Sequence, residues 1–307
     1  MENPYLATMK AGYREAKRVI KHGPSYLWRR YIAPARILNT QAIRAETAGD
    51  VTVCVLTSRN DWQACLWSLV SLYKFTGLQL PLLIYSDGTL ESTHIARIKS
   101  IFPDARIIDP AAADAAVAGS LSRFPNCRRF RSVQPCARRI IDFPILCRSN
   151  SILMLDSDVL FFERPEELVR HIESAHSGRF VFERDIQDAY FDSKAIIKER
   201  FNVEIAAQVN CGIMLADISN FDYGRIEDWL GQASVENHPW AEQTLWAMYA
   251  GRGRTALLGK RYDVTMSEHI DSNTVMKHYI KPIRDFMYTQ GIPHLFRCLE
   301  QIPGSQG

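Results

Sequence analysis

Apolar positions recur along the chain in two alternating rhythms. Val51-Thr-Val-Cys-Val-Leu-Thr-Ser58 is a β-branched run and predicts a first strand. Asn60-Asp61 can open a helix on which Cys65, Leu66, Leu69, Leu72 and Tyr73 fall at helical spacing, and Gly77 ends it. Leu80 to Gly88 reads as a second strand running into a turn, Leu90 to Phe102 as a helix, and Ala105 to Ile108 as a third strand. Strands alternating with helices predict an α/β fold with a largely parallel sheet and right-handed crossovers. Ile140 to Leu146 then predicts a helix, Arg179 to Glu183 and Gln208 to Ala216 predict strands, and helices follow at Phe221 to Leu230 and from His238 onward. Val275 to Pro282 closes the main domain.

Between these halves stands the most informative stretch. Ser151-Ile-Leu-Met-Leu155 has the length and apolarity of a strand buried on both faces. Asp156 and Asp158 follow it, one residue apart, before a second apolar run from Val159 to Phe162. Two like charges in partial burial repel and are desolvated. A divalent cation removes both penalties, and carboxylate oxygens suit Mg²⁺ or Mn²⁺ beside substrate phosphates. The pattern predicts a metal–diphosphate site at the carboxyl end of a central strand. An Asp-x-Asp that merely starts a turn does not require flanking apolar runs. A phosphatase of the haloacid dehalogenase type also places this pair after a strand. That family's motif opens its domain and carries Thr or Val two places after the second Asp, where this chain has Leu160.

Composition narrows the setting. The 307 residues are 47% hydrophobic and 23% charged, as in an ordinary globular protein, with room for one large α/β domain. The sequence has no apolar run long enough to span a membrane and no signal-like apolar core at the N-terminus. Its seven cysteines are widely spaced, which predicts a reducing, cytoplasmic setting. The net charge of +3 is uneven, since residues 1–50 hold nine Lys/Arg against four Asp/Glu. Residues 10–33 mix these cations with Tyr13, Ile20, Tyr26, Leu27, Trp28, Tyr31 and Ile32, broken at Gly23-Pro24, and predict two short amphipathic helices. Such an arm either packs on the main domain or lies peripherally on the inner face of an anionic membrane.

Ligands of such sheets bind beyond the carboxyl ends of the strands. Thr57, Ser58, Ser86 and Asp87 fall there with Asp156 and Asp158. Thr57 and Ser58 could bond a nucleotide base or ribose, although any one of the four also serves as a cap or turn residue. Of the arginines between Arg123 and Arg139, one or two suit a diphosphate through the guanidinium fork. No nucleic-acid-binding motif accompanies them, so nucleic acid is not expected as a partner. Asn210-Cys211-Gly212 places a Gly where backbone can approach a ligand, and Glu242-Gln243 opens a helix.

The order Thr57-Ser58, Asp156-Ser157-Asp158, Asn210-Cys211-Gly212, Glu242-Gln243 and His278 resembles the GT-A class of nucleotide-sugar glycosyltransferases. Family 8, the glycogenin- and galactosyltransferase-like enzymes and their bacterial relatives, is the nearest match over residues 50–285. The resemblance implies a GT-A type, Rossmann-like α/β domain at 48–300 with a mixed, mostly parallel central sheet and flanking helices. An N-terminal helical arm (1–47) and a tail (301–307) complete the expected organisation. It further implies that Asp156, Asp158 and His278 hold Mn²⁺ (or Mg²⁺) on the diphosphate of a UDP-sugar and that Lys281 touches the phosphates. Arg138 would face the donor, Asn210 and Gly212 would line the sugar pocket, and Glu242 and Gln243 would lie near the reacting carbon. The acceptor would be a carbohydrate, lipid or protein. Two departures stand out: His278-Tyr-Ile-Lys281-Pro282 lacks the family's intervening Gly, and Glu-Gln replaces Asp-Gln. A nucleotidyltransferase would carry a Gly-rich basic loop after the first strand, where this chain reads Thr57-Ser-Arg-Asn-Asp61. A relative that binds nucleotide-sugars without turnover is the non-enzymatic alternative.

Overall fold

The structure, a computed structural model, describes residues 4–174, 178–233, 235 and 237–301. Helix α1 (Pro4–His22) stops at Gly23, whose φ of +84° favours glycine. A π-helical turn (Trp28–Ile32) and a 3-10 stretch (Ala33–Asn39) lead toward the first strand. The predicted alternation follows as β1 (Val51–Thr57), α2 (Trp62–Thr76), β2 (Leu82–Ser86), α3 (Ser92–Ile101) and β3 (Arg106–Ile108). Gly77, in the left-handed region, caps α2 by donating its N–H to Tyr73 O. Helices α4 (Pro110–Val117), α5 (Pro125–Val133), α6 (Ala137–Ile141) and α7 (Phe143–Leu146) precede β4 (Ser151–Leu155) and β5 (Val159–Phe161). Next come α8 (Glu166–Glu173), β6 (Phe180–Arg184), α9 (Lys194–Phe201), β7 (Val209–Asp217), α10 (Tyr223–Gln232) and α11 (Ala241–Ala250). The short strands β8 (Thr255–Leu257), β9 (Tyr262–Asp263) and β10 (Met276–His278) precede α12 (Arg284–Phe286) and α13 (Ile292–Glu300).

The central sheet runs β3-β2-β1-β4-β7-β6-β8. From β3 to β4 it is parallel, so the carboxyl ends of β1, β2 and β4 share one edge. β7 is antiparallel to β4, with Leu155 opposite Ile213, so the start of β7 lies beside the end of β4. That register sets Asn210-Cys211-Gly212 against the aspartates, and Asp156 donates its backbone N–H to Gly212 O at 2.8 Å. A second sheet, β5-β10-β9, places His278 opposite Val159, and Tyr279 donates to Asp158 O at 2.8 Å. The architecture is therefore the expected mixed, mostly parallel α/β sheet between helical layers. One apolar core, with Trp67, Phe102, Tyr279 and Leu295, covers one face, and Phe130, Phe143, Phe182 and Trp246 belong to the other.

The chain from Tyr26 onward is fastened to this domain. Tyr26, Pro34 and Ile37 are buried, Trp67 Nε1 donates to Pro34 O at 3.0 Å, and Tyr26 Oη donates to Asp285 at 2.9 Å. Beyond Pro282 the chain turns back, and Met287, Tyr288 and Leu295 join the core. Of the expected tail, residues 302–307 lie outside the described residues. The seven cysteines are free thiols, and no described helix is long and apolar enough to cross a membrane.

Candidate active site

Three side chains meet beyond the carboxyl end of β4. Asp156, Asp158 and His278 each offer a ligand atom, and these atoms lie within 4.8 Å of one another. His278 is 4% exposed. Its Nε2 faces Asp158 Oδ1 at 3.4 Å and Asp156 Oδ2 at 3.9 Å, while Nδ1 meets Glu183 Oε2 at 2.9 Å. A carboxylate on one imidazole nitrogen, with the other nitrogen facing acidic ligands, is the arrangement that orients a metal-binding histidine. Glu183 reaches this place because β6 is irregular. The register against β7 shifts between Phe182 and Glu183, so that Phe182 opposes Met214 but Glu183 opposes Asn210.

Two arginines answer the acidic groups. Arg284 donates Nε and Nη2 to Asp158 Oδ2 at 2.9 and 2.6 Å. Arg139, nearly buried, pairs through Nη1 with Asp156 at 3.2 Å and Glu242 at 3.6 Å and donates Nη2 to Cys211 O. Asp156, Asp158, Glu183 and Glu242 outnumber the two guanidiniums that face them, and burial raises Asp156, Glu183 and Glu242. A divalent cation relieves this excess of acidic groups, and two carboxylates with one imidazole nitrogen form a donor set that fits such an ion.

The electrostatics follow from burial and these contacts. Burial alone would raise Asp158, but His278 and Arg284 outweigh it and hold the carboxyl at about 2. Burial would lower His278, but Glu183 and Asp158 outweigh it and hold the imidazole well above its ordinary range. Burial pushes Glu242 up to about 7 against the pull of Arg139. Its Oε1 makes no hydrogen bond of good geometry among the described residues, and the neighbouring Trp246 indole N–H, likewise unpaired there, favours the charged form.

The remaining expected site residues divide into two groups. Thr57 Oγ1 and Arg138 Nε are, like Glu242 Oε1, buried without a described partner, and Arg138 lies over the Tyr85 ring at 5.9 Å. The others are occupied locally. Ser58 bonds Asp61, Ser86 accepts from Gly88 N, and exposed Asp87 accepts from Thr89 N and Oγ1. Asn210 donates to Asp185 at 2.8 Å and accepts from Gly212 N at 2.8 Å. Gln243 accepts from Cys211 N at 3.2 Å and donates to Ala189 O at 2.9 Å, so its amide braces the backbone on both sides. Lys281 is exposed on the 3-10 turn Lys281–Ile283 and is not among the groups converging on the aspartates.

Glu183 and Arg284 are the site groups the sequence reading misses, and Arg139 is one that it leaves undistinguished among the arginines from Arg123 to Arg139. Arg139 adjoins Arg138, and the five-residue helix α6 is too short for periodicity to decide which one faces inward. Glu183 ends an apolar strand, which is a signal, but the irregular register that aims it is not readable. Gly212 has a different reason from the expected one. The group that approaches it is the His278 ring, which a Cβ would overlap while lying 2.8 Å from Glu183 Oε2. Gly212→Ala should therefore displace His278 and weaken binding of a divalent cation at this cluster by about 10- to 100-fold, the range seen when ligand support is lost. Metal titration of the purified variant checks this, and unchanged affinity would remove that role for the glycine.

No protein-family profile matches the chain, and no curated protein matches it by sequence. Solved structures do match it. Mouse xyloside xylosyltransferase 1, in its apo form, is similar over 76% of this chain and 99% of its own, at 12% identity and a TM-score of 0.51. The galactosyltransferase LgtC, in complex with donor and acceptor sugar analogues, is similar over 80% of this chain and 94% of its own, at 13% identity and a TM-score of 0.50. The chain thus has the GT-A type fold of these glycosyltransferases.

Proposed function

We propose that this protein is a metal-dependent glycosyltransferase. It would move a sugar from a nucleotide-diphosphate donor, a UDP-sugar, to a hydroxyl of a carbohydrate, lipid-linked or protein acceptor. The observation that carries this reading is the convergence of Asp156, Asp158 and His278 at the end of a central strand, with Glu183 on the far side of the imidazole. These three residues would hold the ion, and Mn²⁺ is favoured over Mg²⁺ because an imidazole nitrogen is a softer donor than oxygen. Bound there, the ion would supply charge neutralisation to the diphosphate.

In the transfer, the bond from the anomeric carbon to a diphosphate oxygen breaks and a bond to the acceptor oxygen forms. The electron pair of the broken bond leaves with the diphosphate, and the acceptor hydroxyl's proton passes to the departing diphosphate or to solvent. Charge therefore grows on the leaving group, where fixed cations contribute most. Arg284, held on Asp158, takes this task in place of Lys281. Arg139 fixes Asp156 and Glu242 relative to the strand edge. The buried polar atoms without partners receive the ligand roles: Thr57 Oγ1 the nucleoside, Arg138 the donor, and Glu242 Oε1 a sugar hydroxyl. Asn210, Gly212 and Gln243 act as positioning residues, and Ser58, Ser86 and Asp87 shape the turns around the donor. The wide spacing of the seven cysteines, without a Cys-x-x-Cys pair, supports a reducing, cytoplasmic setting.

Calorimetric titration with UDP, in Mn²⁺ and then in EDTA, tests the reading. UDP should bind only with the ion. Arg284→Ala should weaken that binding by about 10- to 100-fold, the worth of a hydrogen bond to a charged group, and Lys281→Ala should change it by less than about threefold. UDP affinity that ignores EDTA would remove the metal–diphosphate site.

A further inference from the structure

A cavity of about 700 Å³ opens between the arm and α13, away from the aspartates. Arg29, Arg36, Arg297, Trp28, His294 and Phe296 are among its walls. No carboxylate lines it, and among the described residues none of the three arginines pairs with one. Arg36 stacks on Trp28 and Phe296 at 5.5 and 5.6 Å, Arg29 donates to Thr289 O at 3.2 Å, and Arg297 approaches His294 Nδ1 at 3.5 Å. Uncompensated guanidiniums held beside aromatic rings suit a phosphate oxygen.

Beside this cavity the surface is apolar. Leu27, Trp28, Tyr31 and Ile32 are 43%, 49%, 52% and 60% exposed, and Ile20 on α1 is 84% exposed. Leaving such large side chains in water is unfavourable, and several in one turn form a patch rather than scattered exceptions. The patch is held firmly from behind. Arg30 lies 3.9 Å over the Tyr288 ring, and Arg18 and Tyr26 both bind Asp285.

We propose that this face docks on an anionic phospholipid bilayer. Headgroup phosphates enter the cavity of Arg29, Arg36 and Arg297, while Leu27, Trp28, Tyr31 and Ile32 enter the boundary of the acyl layer. Charge complementarity selects this occupant. Two of the three arginines, Arg29 and Arg36, belong to a 50-residue segment of net charge +5, whereas the remaining chain is net negative, −2, and Arg297 of α13 adds a third cation beside them. Trp and Tyr between cations and aliphatic residues match the interfacial depth those rings prefer. The binding needs no donor sugar, so it stands or falls apart from the catalytic reading.

The test is co-sedimentation of the full chain with vesicles of phosphatidylcholine, with and without phosphatidylglycerol. Deleting residues 1–47 would remove buried Tyr26 and Ile37 and confound docking with folding, so surface variants are used. The protein should pellet only with the anionic vesicles, and less as salt is raised. Arg36→Glu with Arg297→Glu should weaken this by about tenfold or more. Trp28→Ser with Ile32→Ser, which leaves the charge unchanged, should weaken it as well. Equal pelleting with both vesicle types, or full anionic binding by both double variants, would overturn the proposal. So would saturable binding of inorganic phosphate by a chain that never pellets, which would mark a soluble-anion site.

Discussion

If the proposed transfer is right, Asp158→Asn is expected to lower it, measured as kcat/KM with a nucleotide-sugar donor, by about 10³-fold, or roughly 4 kcal/mol of transition-state stabilisation. The substitution keeps shape and removes one charge. That charge faces both His278 Nε2 and the Arg284 guanidinium. A neutral amide cannot serve as an anionic ligand, and its NH₂ group would confront one of two donors. Stability should suffer less. Arg284 is 42% exposed and can be rehydrated when its partner is lost, but Asp158 is buried against His278 as well, so the cost should be about 2 kcal/mol. Parallel measurement of transfer and of urea unfolding separates the two effects. Transfer at the wild-type rate by the variant would sink the assignment of Asp158 to the reaction.

Arg139→Met should act in the opposite proportion, on the fold as much as on the chemistry. Its guanidinium is 10% exposed and touches Asp156, Glu242 and the Cys211 carbonyl. Removing it leaves Glu242 buried with no cation, a situation that costs about 3–5 kcal/mol. The loss should depend on pH in a definite sense. Burial already raises Glu242 from 4.5 to about 7, so the folded protein binds this proton more tightly than the unfolded chain. Stability from this group is therefore lost as pH rises from about 4.5 through 7. Without Arg139 the carboxyl rises further, and the deficit at pH 8 should exceed that at pH 6. Arg138→Met, by contrast, should cost less than about 1 kcal/mol, since this arginine is half-buried against Tyr85 and pairs with no carboxylate among the described residues. Urea unfolding of both variants at the two pH values decides the matter. Equal destabilisation would mean that the two arginines are not distinguished as the structure has them.

The two variants also mark the boundary of what was legible beforehand. Runs such as Val51–Thr57 and Ser151–Leu155 are long, apolar and bounded by turn residues, so their strands are readable from local chemistry alone. The same is true of the carboxylates that follow Leu155, of Asn210-Cys211-Gly212 at a strand start and of Glu242 in the first turn of a helix. These are properties of neighbours in sequence. Pairing across the sheets is not. Glu183 reaches His278 through a shifted register between β6 and β7, and His278 reaches Asp158 because β10 runs antiparallel to β5. A slip of one residue in either pairing would turn those side chains to the opposite face. Arg139 over Arg138 was decided by the packing of a five-residue helix, and Arg284 over Lys281 by a turn that brings the chain back onto Asp158. By itself the sequence determined the strands, the acidic pair and the basic arm, because each follows from local pattern and charge. The tertiary structure alone decided which cations meet the acids, why Gly212 must be small and which side of the arm faces water, because those depend on contacts between segments far apart in the chain.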